Sequence, residues 1–195
     1  MNLNPKAVGI IQGVLLVMVV TMASLAVAQV ETIDATARGT STQMGKNISV
    51  KVIINQFSTP EDREMLKNAF TQGGHEGLAK ALFKMKSVGR VQIPGTMGNT
   101  IAFARSIPTP TGRKIRFVTN RRIAFGESAG NTRSQSYDLT AGEIDINEQD
   151  KNKSTGVLYP AAQLTVNKDG ELQFELYQNP WQLVNILDWM GKGKD

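Results

Sequence analysis

Residues 101–119 read IAFARSIPTPTGRKIRFVT, and this stretch decides the fold class. In its first half Ile101 and Phe103 alternate with alanines, and in its second half Ile115 and Phe117 alternate with basic side chains. Alternation with a period of two is typical of a β-strand with one buried face. The proline- and glycine-rich segment between the halves is typical of a turn. The stretch therefore predicts two antiparallel strands joined by a hairpin.

The same alternation continues on both sides of this hairpin. Before it, Ile48, Val50 and Val52 alternate with polar residues. After it, the sequence Asn-Lys-Asp-Gly at residues 167–170 has the composition of a tight hairpin turn. The remaining predicted strands are residues 91–93, 137–147, 157–167, 172–177 and 181–187.

Two helices are predicted after the first of these strands. Thr59 and Pro60 form a typical helix start, and Gly73 and Gly74 form a typical helix end. A second helix is expected over residues 76–86, and the inward stripes of the pair include Met65, Leu66, Ala69, Phe70, Leu78, Leu82 and Phe83. We therefore predict an α+β fold that is mainly antiparallel β. About seven or eight strands would form a curved sheet or small barrel, with two short helices inserted after the first strand.

The first 28 residues have the three-part pattern of a secretory signal peptide. Lys6 supplies the positive charge, residues 7–28 are almost wholly apolar, and Ala26 and Ala28 occupy the positions that signal peptidase reads before Gln29. The alternative is an uncleaved membrane anchor, because this apolar run is long enough to span a hydrocarbon core of roughly 30 Å.

This leader sets the expected domain organisation. Residues 1–28 are the signal peptide, 29–46 a flexible leader rich in Thr, Ser and Gly, 47–190 a single exported mainly-β domain, and 191–195 a tail. The expected location is periplasmic or extracellular, and the expected contact with the membrane is through the leader alone.

Composition excludes several chemistries. The chain has no cysteine and one histidine, His75, which rules out disulfides, thiol nucleophiles, cysteine-type zinc sites and multi-histidine metal sites. No cofactor or metal site is predicted. The net charge of +5 is modest and is not concentrated in one block, so most charged residues are expected on a solvated surface.

The motif Gly-Glu-Ser-Ala-Gly at residues 126–130 has the spacing of a serine-hydrolase nucleophile elbow. That elbow requires a helix directly after the serine and a histidine later in the chain. Here a predicted strand follows instead, and no histidine follows Ser128. We therefore interpret the motif as a glycine-rich loop and assign no catalytic residue.

Basic side chains on neighbouring predicted strands are the candidate binding site. Arg105 is expected on the same face as the apolar Ile101 and Phe103, which is an unusual position for a cation. The residues that could bind an anionic partner, such as an envelope component, are Arg90, Arg105, Lys114, Arg116, Arg121 and Arg122. Nucleic acid is not expected, since no aromatic platform interleaves with these strands.

Several short motifs resemble a group of uncharacterised exported bacterial proteins. They include Pro60-Glu61-Asp62, Gly89-Arg90-Val91, Arg122-Ile123-Ala124-Phe125, Tyr137-Asp138-Leu139 and Gly142-Glu143-Ile144. The resemblance covers about residues 55–187 and implies a shared fold and an extracytoplasmic setting, but no activity.

The sequence does not define a ligand or reaction. The expected function is a non-enzymatic exported domain that acts by binding or in the cell envelope. One alternative is a hydrolase that uses paired carboxylates, which would have to lie about 5–10 Å apart in a cleft. The other is a membrane-anchored domain with a retained leader.

Overall fold

The computed structural model describes residues 30–123, 137–166 and 172–189 of the 195-residue chain. Within these ranges the protein has nine β-strands and one α-helix. They are β1 (Glu31–Arg38), β2 (Asn47–Ile54), α1 (Pro60–Lys84), β3 (Gly89–Gln92), β4 (Asn99–Thr109), β5 (Gly112–Thr119), β6 (Leu139–Asn147), β7 (Thr155–Val166), β8 (Leu172–Leu176) and β9 (Trp181–Asp188).

Eight of the strands close into an antiparallel barrel. The order around the sheet is β6-β5-β4-β3-β2-β1-β9-β7, and pairing of β6 with β7 closes the ring. β8 lies outside the ring, where it pairs with the end of β7 from Ala162 to Val166. The prediction of a mainly antiparallel fold is confirmed, and of its two forms the structure adopts the small barrel. Closure suits these eight strands because it leaves their backbone groups no open edge.

Apolar side chains fill the interior of the barrel. The largest of them are Trp181, Phe117, Ile33, Ile54, Ile101, Ile115, Ile144, Leu158 and Leu183. The ring of Phe117 lies directly over Gly142, its partner on β6. A Cβ at Gly142 would lie 2.2 Å from Cζ of Phe117, so only glycine leaves room for the ring.

β1 is the largest difference between the predicted and the observed fold, because residues 29–46 were predicted to be a flexible leader. It lies between β2 and β9 in the ring, and Ile33, Ala35 and Ala37 point into the core. The folded domain therefore begins before residue 47. Two of the three inward side chains are alanines, and the outward ones include threonines, so the period of two produces little contrast in hydrophobicity.

α1, which follows β2 in the chain, packs on the outside of the barrel against β4 and β7. Leu66, Leu78 and Leu82 contact Ala102 and Leu139. The helix starts after Thr59, as predicted, and the structure shows a capping box there: Asp62 N donates to Thr59 Oγ1, and Thr59 N donates to the Asp62 carboxylate. Among the helices that the structure describes, none has the length and apolar content needed to cross a membrane.

A break at Gly74 divides α1 into two arms. Gly74 has φ 56° and ψ −147°, a conformation that glycine adopts readily. The sequence predicted two separate helices here, whereas the structure has one helix interrupted at this residue. The insertion follows the second strand rather than the first, because β1 precedes the predicted first strand.

Candidate functional site

A cleft of about 400 Å³ lies on the outer surface of the barrel, across β4, β5, β6 and β7. Its apolar part is formed mainly by Phe103, Val118 and Tyr159. Arg105 and Arg116 are directly opposite each other on β4 and β5 and supply its positive charge. The volume falls within the roughly 300–1,000 Å³ typical of small-molecule sites.

A β-bulge turns the β4 side chains of this cleft outward. The pairing of β4 with β5 shifts between Ile101 and Phe103, so Ile101 faces the barrel core while Phe103 and Arg105 face outward. An extra residue in one strand resets its alternation. The prediction that Arg105 lies on the same face as Ile101 is therefore wrong. The prediction that Arg105 lies on the same face as Phe103 is correct.

Ion pairs organise the charges beside the cleft. Glu143 accepts hydrogen bonds from Lys114 Nζ at 2.8 Å and from Arg116 Nε at 2.6 Å, and Asp145 lies 3.5 Å from Lys114 Nζ. The Lys114 hydrogen bond, followed by that of Arg116, lowers the pKa of Glu143 below its ordinary value. The bond to Glu143 in turn raises the pKa of Lys114. Glu143 is thus held ionised between two cations.

Arg105 has no such partner. Its guanidinium makes no ion pair or hydrogen bond with any residue in the part of the chain that the structure describes. Its cross-strand neighbour is another cation, Arg116, and like charges placed opposite each other repel. Around the cleft, three cations therefore face two carboxylates, and the surplus positive charge lies at Arg105.

The structure brings three of the six predicted basic residues together: Arg105, Lys114 and Arg116. Arg90 pairs with Thr100 on another part of β4. Arg121 and Arg122 follow the end of β5, where the Asn99 side chain donates to their backbone carbonyls. These last three residues do not line the cleft.

Sequence reasoning missed Glu143 and Tyr159 as part of this site. Both lie on strands that were predicted, but they are adjacent to Arg116 and Val118 only through the register of β5, β6 and β7. The outward position of Glu143 in an alternating strand was the available signal. This alternation predicts that Glu143 lies on the surface, but it does not predict which residues of the neighbouring strands lie beside Glu143.

A second charged cluster closes one end of the barrel. Arg113 Nη2 contacts Glu31 Oε1 at 3.0 Å and also contacts Asp188, and its Nη1 lies 3.1 Å from Glu148 Oε1. The exposed fractions of the Arg113, Glu31 and Asp188 side chains are 12%, 5% and 14%. Burial raises the pKa of Glu31 above its ordinary value, and the charge of Arg113 opposes this shift.

This cluster has the properties of a structural contact. The carboxylates of Glu31 and Asp188 are neighbours, as the hydrolase alternative requires, but both bind the same arginine. The cavity beside Glu148 and Asp188 is about 180 Å³, below the range usual for ligands. Within the described ranges, no three or more histidine, aspartate or glutamate side chains are grouped to hold a metal ion.

His75 joins α1 to the barrel. The backbone N–H of Leu164 donates to Nδ1 at 3.0 Å, so the ring proton lies on Nε2, which donates to Asp138 Oδ1 at 2.8 Å. Both ring nitrogens are therefore used to hold the second arm of α1 against β7 and Asp138.

Two sets of predicted site residues lie outside the described residues, as does the predicted hairpin turn at 167–170. One is the motif at residues 126–130, which includes Ser128. The other is the cleavage site at Ala26, Ala28 and Gln29.

Comparisons with known protein families, curated proteins and solved structures yield no match to this chain.

Proposed function

We propose that this chain is an exported, non-enzymatic binding domain whose outer cleft takes an anionic group attached to a ring-bearing body, such as an aromatic group or a sugar. One observation carries the proposal: Arg105 lacks a protein partner among the described residues and stands beside Arg116 over an apolar surface.

The chemistry of the cleft matches such a ligand. A guanidinium binds carboxylate, phosphate or sulfate through two parallel hydrogen bonds. An anion between Arg105 and Arg116 would also relieve their mutual repulsion. Phe103 and Tyr159 offer ring surfaces to the rest of the ligand. An anionic glycan or phosphorylated component of the envelope has both features.

Replacing Arg105 with alanine tests this function. With phenyl phosphate as the probe, we expect the dissociation constant of the Arg105→Ala variant to rise about ten- to a hundred-fold, because hydrogen bonds to charged groups contribute about 1.5–3 kcal/mol. The measurement is a titration followed by amide chemical shifts, which also locates the probe.

Arg90→Ala is the control, since Arg90 is an exposed arginine on β3 that does not line the cleft. Its dissociation constant should stay within a factor of two. Equal weakening by both variants, or shifts centred away from β4 and β5, would contradict the proposal.

The exported setting is the second part of the proposal, and it rests on the leader sequence. We expect protein from the periplasm or medium to begin at Gln29, because Ala26 and Ala28 are the small side chains that signal peptidase requires before its cleavage site. N-terminal sequencing measures this directly. Membrane-bound protein that begins at Met1 would support the anchored alternative, and intact soluble protein in the cytosol would contradict export.

A further inference from the structure

A second groove lies on the protein surface, between the two arms of α1. The arms, residues 60–73 and 75–84, border a groove of about 730 Å³. Met65 and Ala69 line it from the first arm, and Ala81 and Met85 line it from the other side. Met65, which the sequence predicts in the inward stripe, is 45% exposed, because it faces the groove and not the barrel.

The two arms of α1 meet near the break. A Cβ at Gly77 would lie 2.4 Å from the backbone oxygen of Ala69, so the arms touch backbone to backbone at this point. Lys84 and Lys86 line the groove at the far end of the second arm.

The lysines make this end of the groove positive. Lys80 also lines the groove, and its Nζ binds Glu76 at 2.6 Å. Lys84 and Lys86 are exposed and form no ion pair with any residue that the structure describes. The acidic residue in the lining is Asp62, and its carboxylate already accepts the Thr59 N–H of the capping box.

The dimensions and chemistry of the groove select an alkyl chain. The second arm is about 15 Å long at 1.5 Å per residue, and a helix of that length with its side chains, about 10–12 Å across, would not fit wholly within the 730 Å³ of the groove. An extended peptide would find amide partners in the lining at Gln56 and Gln72, but most of its backbone amides would lie against methionine, alanine, glycine and valine, which is costly. A flexible alkyl chain needs no such partners, and methionine adapts well to it.

We propose that this groove binds the alkyl chain of a single-chain anionic amphiphile, such as a fatty acid or an alkyl phosphate, and that Lys84 and Lys86 hold the anionic head. The site is separate from the cleft around Arg105, so it extends the proposed function to a second class of ligand.

Calorimetric titration with dodecanoate, below its micelle concentration, tests the proposal. We expect saturable one-to-one binding, no measurable binding of acetate, and at least about ten-fold weaker binding of dodecyl maltoside, which carries the same alkyl chain without a charge. Dodecyl phosphate shows whether a phosphate head is preferred over a carboxylate. Absence of saturable dodecanoate binding, or equal affinity for the uncharged ligand, would overturn the proposal.

Paired substitutions locate the site. We expect Lys84→Glu with Lys86→Glu to weaken dodecanoate binding at least about ten-fold, whereas Lys151→Glu with Lys153→Glu, the same charge change in an exposed turn, should leave it unchanged. Met65→Glu, at an exposed position in the groove wall, should also abolish binding without affecting the fold. Retention of full affinity by the Lys84/Lys86 or the Met65 variant would exclude the groove.

The same titration separates this site from the cleft. Arg105→Ala should bind dodecanoate as the wild type does, because Arg105 does not line the groove. Loss of dodecanoate binding in that variant would place the amphiphile in the cleft and overturn the groove assignment while leaving the cleft proposal intact.

Discussion

Replacing Arg113 with alanine is expected to lower the free energy of unfolding by about 3–5 kcal/mol at neutral pH, the usual cost of breaking a buried ion pair from one side. The substitution leaves the buried carboxylates of Glu31 and Asp188 facing each other without a cation. It also removes the side chain that joins β5 to β1 and β9 at one end of the barrel. Guanidinium denaturation followed by far-ultraviolet circular dichroism measures the loss.

The cost of Arg113→Ala should depend on pH in a defined direction. Burial raises the pKa of Glu31 above 4.5, so its contribution to stability is fully present below pH 4.5 and declines as pH rises through the folded-state pKa. Without Arg113, the pKa of Glu31 rises further, since the arginine charge lowers it in the wild type. The deficit of the variant should therefore be larger at pH 7 than at pH 4.

Arg116→Ala is the matched control on the same strand. The Arg116 side chain is 55% exposed and pairs with Glu143 at the surface, where such pairs contribute about 1 kcal/mol or less. Equal losses from the two arginine substitutions, or a deficit for Arg113→Ala that does not grow with pH, would show that this cluster does not hold the barrel end together.

Trp181→Ala is expected to cost about 3–5 kcal/mol, the typical loss for truncating a buried aromatic residue. Trp181 is fully buried in the barrel core and lies opposite Leu158 on β7. The smaller side chain would leave a cavity where β9 meets β7, because closed strands cannot collapse inward without breaking their register. The measurement is again equilibrium denaturation followed by circular dichroism.

Trp189→Ala provides the comparison, since the chain has two tryptophans. Trp189 is 44% exposed, and its Nε1 donates to Asp34 Oδ2 at 2.8 Å. Its removal should cost about 1 kcal/mol, the net contribution of one hydrogen bond. A loss for Trp181→Ala as small as that for Trp189→Ala would mean that the barrel interior is loosely packed.

Strong local signals explain which parts of the fold were predictable. β5 alternates large apolar and basic side chains, as at Ile115, Arg116 and Phe117, and that contrast is visible in the sequence alone. The capping box at Thr59 and the glycine at position 74 are equally local, since each acts within one helical turn. These features determine where elements begin and end.

Two features of the fold were not predicted, one because the hydrophobic contrast along the strand is weak and one because it depends on strand register. Two of the inward side chains of β1 are alanines, so its sequence resembles that of a flexible segment. Only its position between β2 and β9 shows that it belongs to the core. The bulge in β4 reversed the expected facing of Ile101 relative to Arg105. Such a bulge depends on how two strands pair, and pairing has no signature within one strand.

The sequence by itself determined the antiparallel character of this protein, the start of its helix and the break at Gly74, since each follows from local backbone preference or hydrophobic period. Only the tertiary structure decided that the sheet closes, that Arg105 stands beside Arg116 without a carboxylate of its own among the described residues, and that Arg113 binds acids from β1 and β9. The contact between Arg113 and Glu31 joins residues 82 positions apart in the chain, and the distance between such residues is set by strand register and closure, which no local pattern encodes.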